Sequence, residues 1–172
     1  MTSTVRMTEM NVSEAGVTAL VTEMVSAAVV VCLYDASSKI GALVHPLLPR
    51  FPEGTGDEGV GRFVDSAVSR AVERMVAAGA EATRIAAGLS GAADVFSFAD
   101  DCTQYSIGGQ NAETAREVLE ELRIPVQAED LGGHLPRTVT LQIDTGALIA
   151  QIPGKDPKEV AVLRGGSGVR KV

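Results

Sequence analysis

Aromatic side chains are scarce in this chain of 172 residues, where they make up 3% of the sequence and tryptophan is absent. Hydrophobic residues still account for 45%, so alanine and valine must fill most of the core. Small side chains of this kind favour helices that pack closely against strands. A chain of this length can bury a core of ordinary size without disulfides or metals, and we expect one folded domain.

Cysteine is equally rare, with two in the whole chain. Cys32 lies in an apolar segment and Cys102 follows two aspartates in a polar one, which is not the pattern of a disulfide framework. This usage favours a reducing cytoplasm. Neither of the two histidines, His45 and His134, lies in a cluster of cysteines or histidines, so we expect no metal. No sequence motif indicates a cofactor.

An excess of positive charge is also missing, since the net charge is −7. Negative charge opposes the attraction that supplies most non-specific affinity for nucleic acids, so DNA and RNA are not expected partners. The N-terminal residues lack the basic-then-apolar order of a signal peptide. The longest apolar run, Met24 to Leu33, is about half a membrane span. We expect a cytoplasmic protein that is not embedded in a membrane.

The segment from Val29 to Pro49 contains two apolar stretches joined by a short polar turn, which predicts a β-hairpin. A symmetric hairpin that closes around Asp35 to Ser38 pairs position 28 with position 45. Directly opposed residues have Cβ atoms about 5 Å apart, the separation that a nucleophile and its base need. His45 is the candidate base, but Ala28 has no reactive group.

These residues resemble CheD, the chemoreceptor glutamine deamidases, whose pattern is Gly-Ser-Cys on one strand and Gly-x-x-x-His-x-x-x-Pro on the next. The second half is present as Gly41, His45 and Pro49. The resemblance covers about Val12 to Ile149, through Phe63-Val-Asp65-Ser-Ala67, Gly91-Ala92 with Phe96, Ile107-Gly108 with Asn111, and Glu129-Asp130-Leu-Gly132-Gly133 with Arg137.

The resemblance implies a chemotaxis protein that converts glutamine to glutamate on methyl-accepting chemotaxis receptors. In that family a cysteine attacks the side-chain amide, a histidine acts as base and acid, and an upstream threonine orients the histidine. By position, the histidine corresponds to His45 and the threonine to Thr22. The position of the cysteine is occupied by Ala28, and those of the preceding glycine and serine by Ser26 and Ala27. The resemblance also implies a CheC-type phosphatase as a second partner.

The absence of the nucleophile leaves two hypotheses, because loss of a nucleophile costs on the order of a million-fold in turnover. In the first, the chain is a deamidase with a displaced nucleophile. Ser26 is a poor one and lies two residues away, and Cys32 would be roughly 13 Å along the strand from position 28. In the second, the chain keeps the binding surface but has no turnover. The two residues before Ala28 also differ from the Gly-Ser of the family pattern. This favours natural divergence over the replacement of a single cysteine by design.

The rest of the sequence predicts a mixed sheet with helices packed against it. Two helices are expected, an amphipathic one from Val60 to Val76 that stops at Gly79 and one capped by Asn111. Further strands are expected at Thr83 to Leu89 and Val126 to Asp130, and a hairpin turns at Asp144-Thr145-Gly146. The residues from Asp130 to Gly133 are expected to be structural. We place the domain at residues 1–153 and a weakly ordered tail at 154–172.

Overall fold

A computed structural model describes residues 1–53, 59–95 and 106–165 of the chain. Within them lie two α-helices, α1 (Val64–Ala77) and α2 (Ile107–Glu121). The strands are β1 (Thr2–Thr4), β2 (Met10–Val12), β3 (Ala19–Val25), β4 (Val29–Asp35), β5 (Ile40–Val44), β6 (Ala86–Gly91), β7 (Val126–Leu131), β8 (Arg137–Gln142), β9 (Ala147–Gln151) and β10 (Lys158–Val162).

The strands form two five-stranded sheets. The first sheet has the order β1-β3-β8-β9-β10, and the second has the order β2-β5-β4-β6-β7. Each sheet is mixed, because β1 with β3 and β6 with β7 are parallel whereas the other pairs are antiparallel. The predicted single α/β domain with a mixed sheet, hairpins and flanking helices is therefore confirmed.

Strand β4 lies at the centre of the molecule and is buried along its whole length. Val29, Val31 and Leu33 pack in the core between the second sheet and the two helices. The intervening residues Val30 and Cys32 pack in the core between the two sheets. A strand that is covered on both faces needs apolar residues at every position, which accounts for the unbroken apolar run in the sequence.

Helix α1 presents an apolar stripe to the second sheet, as its sequence predicts. It begins at Val64 because Val60–Arg62 form a separate 3-10 turn. After the helix, Gly79 has φ of 114°, a left-handed conformation that glycine adopts at low cost. The predicted strand at Thr83 to Leu89 starts later, as β6, because Ala82–Arg84 form another 3-10 turn.

Helix α2 begins earlier than the sequence analysis proposed. Ser106 is its N-cap, with extended backbone and a side-chain oxygen that accepts a hydrogen bond from the N–H of Gly109 at 3.0 Å. That geometry is typical of a helix N-cap. Asn111 instead lies inside the helix and is fully buried. The prediction that Asn111 caps α2 is therefore wrong.

The predicted register of the β4–β5 hairpin is wrong by two residues. Asp35 pairs with Ile40 and Cys32 with Leu43, so the turn contains four residues. The turn has the predicted length but lies one residue further along the chain, and the Asp35 carboxylate stabilises it by accepting a hydrogen bond from the N–H of Ser37 at 3.0 Å. A shift of two keeps every side chain on its predicted face. Extended past the last pair, this register places Val30 opposite His45, so Ala28 lies diagonal to His45 and the prediction that it is directly opposite is wrong.

Strand β7 and the β8–β9 hairpin lie where the sequence predicts them. Part of the predicted tail is structured, however. Lys158–Val162 form β10, which pairs with β9, and Leu163 is fully buried between the sheets. Residues 166–172 of that tail lie outside the described residues. Neither of the two helices described above is long and apolar enough to cross a membrane.

Candidate active site

His45 follows the last residue of β5, and its backbone is fixed on both sides. Its N–H donates to the carbonyl of Glu9 at 3.0 Å, and its carbonyl accepts from the N–H of Thr8 at 2.7 Å. These bonds continue the pairing of β5 with β2 past the end of the strand. The side chain of His45 is only 1% exposed. The imidazole is therefore held in place within the protein.

Thr22 lies on β3, in the opposite sheet, and meets His45 in the space between the sheets. Its Oγ1 atom is 2.8 Å from Nδ1 of His45, and both side chains are buried. When Nδ1 carries the proton and donates to Thr22, the second ring nitrogen, Nε2, is left as a free base. The structure thus brings together the two residues that the sequence analysis assigned to the site.

The electrostatic environment keeps His45 neutral. Burial lowers the pKa of His45 from 6.5 to about 4, since a charged imidazole loses its hydration inside the protein. Its Nε2 atom has no hydrogen-bond partner among the described residues. A neutral imidazole with an unoccupied nitrogen is the protonation state that a general base requires at neutral pH.

Position 28 lies in the short connection between β3 and β4, and its backbone is also fixed. The carbonyl of Ala28 accepts a hydrogen bond from the N–H of Ala92 at 2.8 Å, and the carbonyl of Ser26 accepts one from Ala93 at 2.8 Å. A Cβ atom on Gly91 would lie 2.4 Å from the carbonyl oxygen of Ala28. Gly91 therefore permits the close approach of β6 to this connection.

Ala28 itself is 2% exposed and offers only a methyl group. Cys32 does not replace the missing thiol. The corrected register places it diagonal to His45, where Cα atoms are about 7–8 Å apart, which is nearer than the sequence analysis expected. Its thiol is fully buried, however, and burial raises its pKa to about 12. A thiol that stays protonated at neutral pH is a poor nucleophile.

Asn111 also belongs to this site, whereas the sequence analysis named it only as part of the family resemblance and as a helix cap. Its side-chain amide donates to the carbonyls of Ala27 at 3.3 Å and Leu47 at 3.0 Å, on the two segments that carry position 28 and His45. Asparagine is a weak helix former. Its position five residues after Ser106, inside an otherwise regular helical pattern, is the signal that could have revealed it.

The other polar residues that the sequence analysis considered are structural or lie elsewhere. Arg137 is 5% exposed and donates to the Asp130 carboxylate at 2.9 Å, a contact that holds that turn. The exposed His134 has Nδ1 2.9 Å from the carbonyl of Asp94. Within the described ranges, no group of three or more histidine, cysteine or acidic residues could hold a metal. Cys102 lies outside them.

Comparisons with known proteins identify the family. The profile of the CheD family, described as CheD chemotactic sensory transduction, matches residues 47–151. A protein of Symbiobacterium thermophilum is 37% identical over 74% of this chain and 78% of its own length, and one of Geobacillus kaustophilus is 34% identical over 76% and 80%. A third, of Lachnoclostridium phytofermentans, is 29% identical over 76% and 81%. All three carry the name "Probable chemoreceptor glutamine deamidase CheD". This chain belongs to the CheD family.

Proposed function

We propose that this chain is a chemotaxis protein that binds chemoreceptors at their glutamine side chains. Its relatives are named as deamidases of that substrate, and the chain shares their family. The observation that carries the proposal is the buried Thr22–His45 pair, with Oγ1 2.8 Å from Nδ1. A histidine that is desolvated, oriented and left with a free Nε2 is costly to keep in a core that needs no such group.

The residues that remain would serve amide hydrolysis by a Cys–His mechanism. In such a reaction a thiolate attacks the carbon of the glutamine amide, and His45 would accept the thiol proton and pass it to the departing ammonia. Water would then release the acyl group as glutamate. Thr22 would hold the ring so that Nε2 faces the reacting atoms. The Thr22–His45 pair supports the assignment of the base and its orienting residue in this scheme, while the nucleophile is missing.

We infer that the chain binds receptors with little or no turnover, because Ala28 cannot attack an amide. Removal of a nucleophile costs on the order of a million-fold in rate. Cys32 cannot compensate, since its buried thiol has a pKa of about 12. A protein that occupies receptor glutamines without converting them would protect those sites from other enzymes. It would thereby regulate receptors by occupancy.

Residual deamidase activity is the second candidate, and the preserved Thr22–His45 geometry favours it. Ser26 is the half-buried hydroxyl residue nearest to position 28 in the sequence. Its displacement by two residues and the high pKa of a hydroxyl group make it a weak nucleophile. A CheC-type phosphatase is a further proposed partner, which would bind the protein independently of turnover.

Receptor binding tests the proposal directly. The protein is titrated against a purified cytoplasmic fragment of a chemoreceptor from the same organism, by calorimetry or interferometry. We expect saturable binding to the fragment with glutamine at its modification sites, and at least tenfold weaker binding to the fragment in which these residues are glutamate. Equal binding to both fragments would show that the site does not recognise the amide. Absence of binding to either would contradict the proposed function.

A further inference from the structure

The two segments that form the candidate site are not joined to each other by regular sheet pairing. The last pair between β4 and β5 is Val31 with Val44. By extension of the register, Pro46 lies opposite Val29, and proline has no N–H to donate to a ladder. The segments that carry position 28 and His45 therefore lack a ladder hydrogen bond between them at this point.

Asn111 bridges the two segments with hydrogen bonds. Its Nδ2 group donates one hydrogen bond to the carbonyl of Ala27 at 3.3 Å and another to the carbonyl of Leu47 at 3.0 Å. Both partners are carbonyl oxygens, which only accept, so the orientation of the amide is fixed by chemistry. Neither carbonyl accepts a backbone hydrogen bond within the described residues.

Packing of helix α2 holds Asn111 in place. The residue is fully buried within α2. A Cβ atom on Gly108, in the first turn of the same helix, would lie 3.0 Å from the backbone of Ala92, so the helix sits directly on the end of β6. The N–H of Ala92 in turn holds the carbonyl of Ala28 at 2.8 Å. Helix α2 thus contacts the connection that carries position 28 directly through Asn111, and its first turn packs against Ala92, which is hydrogen-bonded to that connection.

We propose that Asn111 is the positioning residue that sets the separation between position 28 and His45. It takes the place of a sheet hydrogen bond that Pro46 cannot make. This role depends on the site assigned above, but not on whether the protein binds receptors. Asn111 itself does not contact the reacting atoms in this account.

The test uses a thiol at position 28 as a reporter of that separation. In Ala28→Cys protein, alkylation by iodoacetamide is followed from pH 5 to 10. Transfer of the thiol proton to Nε2 of His45 would form a thiolate–imidazolium pair, which is expected to lower the thiol pKa below the ordinary value of about 8.5. Adding Asn111→Leu, which keeps the side-chain shape but removes both donors, should raise that pKa towards 8.5. The alkylation rate at pH 7 should fall at least tenfold.

Two further variants make the result decisive. Thr114→Val replaces another buried polar residue of α2 and should leave the alkylation profile unchanged. Asn111→Ser keeps one donor and should give an intermediate rate, which also serves if Asn111→Leu does not fold. A folded Asn111→Leu or Asn111→Ser protein with an unchanged profile would overturn the proposal. An ordinary thiol pKa in Ala28→Cys alone would overturn it as well, because position 28 would then not be coupled to His45.

Discussion

Ala28→Cys is expected to turn this protein into an active glutamine deamidase. Thr22 is hydrogen-bonded to His45 and the backbone at position 28 is fixed, so the proposed site lacks only its nucleophile. We expect the rate on a receptor fragment to rise by at least a thousand-fold above that of the native chain, within the roughly million-fold range that a nucleophile contributes. The mass increase that accompanies each conversion of an amide to an acid provides the measurement.

Three variants serve as controls for this gain. Ser26→Cys carries a thiol two residues from the expected place and should remain inactive. Adding His45→Ala to Ala28→Cys should abolish the gain, whereas adding Cys32→Ala should preserve it. The sulfur enters a site where Ala28 is 2% exposed, and overpacking costs about 1–3 kcal/mol, so thermal unfolding must show that the variant is folded. A folded Ala28→Cys protein as inactive as the native chain would mean that His45 is not aligned with position 28.

His45 should make the stability of the protein strongly dependent on pH. Burial lowers its pKa in the folded state to about 4, from 6.5. Below pH 6.5 the imidazole of His45 therefore binds a proton in the unfolded chain but stays neutral in the folded chain until the pH approaches 4. The contribution of the neutral histidine is fully present above pH 6.5 and is lost as the pH falls through 4. It amounts to about 3 kcal/mol in the free energy of unfolding.

Urea denaturation between pH 7.5 and 4 measures this effect. Carboxylates also titrate in that range and change the stability of every variant. The contribution of His45 is therefore taken from the difference between the native chain and the histidine variants. His45→Gln removes the buried titrating group and should lose markedly less stability on acidification than the native chain. His134→Gln removes the only other histidine, which is exposed, and should retain the native dependence. Identical curves for the native chain and His45→Gln would show that the imidazole is hydrated in the folded state.

The sequence predicted the elements of this fold better than their exact contacts. The amphipathic stripe of α1 and the alternation along β8 reflect burial on one face, and that pattern is visible in the residues themselves. The β4–β5 register could not be predicted in the same way, because it depends on where the turn begins. The Asp35 side chain stabilises a turn that begins one residue later by accepting a hydrogen bond from the N–H of Ser37. Even so, the sheet face of each residue was predicted correctly, because a register error of two residues does not change it.

The candidate site also contains contacts that could be predicted from the sequence and contacts that could not. Thr22 and His45 are 23 positions apart in the sequence, and the family pattern was enough to place them together. The bridge made by Asn111 was hidden, since it joins residues 84 and 64 positions away along the chain. Strand β10 was also missed, because its exposed lysine and glutamate and the glycines around it resemble a tail. Such features arise from tertiary contacts that leave no local pattern.

We propose that this CheD-family protein keeps a deamidase site without its nucleophile. Intact-mass analysis of a receptor cytoplasmic fragment, incubated in parallel with the native protein and with His45→Ala, tests it most directly. We predict that neither protein increases the mass of the fragment, although the native protein binds it. A mass increase with the native protein that disappears with His45→Ala would contradict the claim, and would reveal a deamidase with a displaced nucleophile.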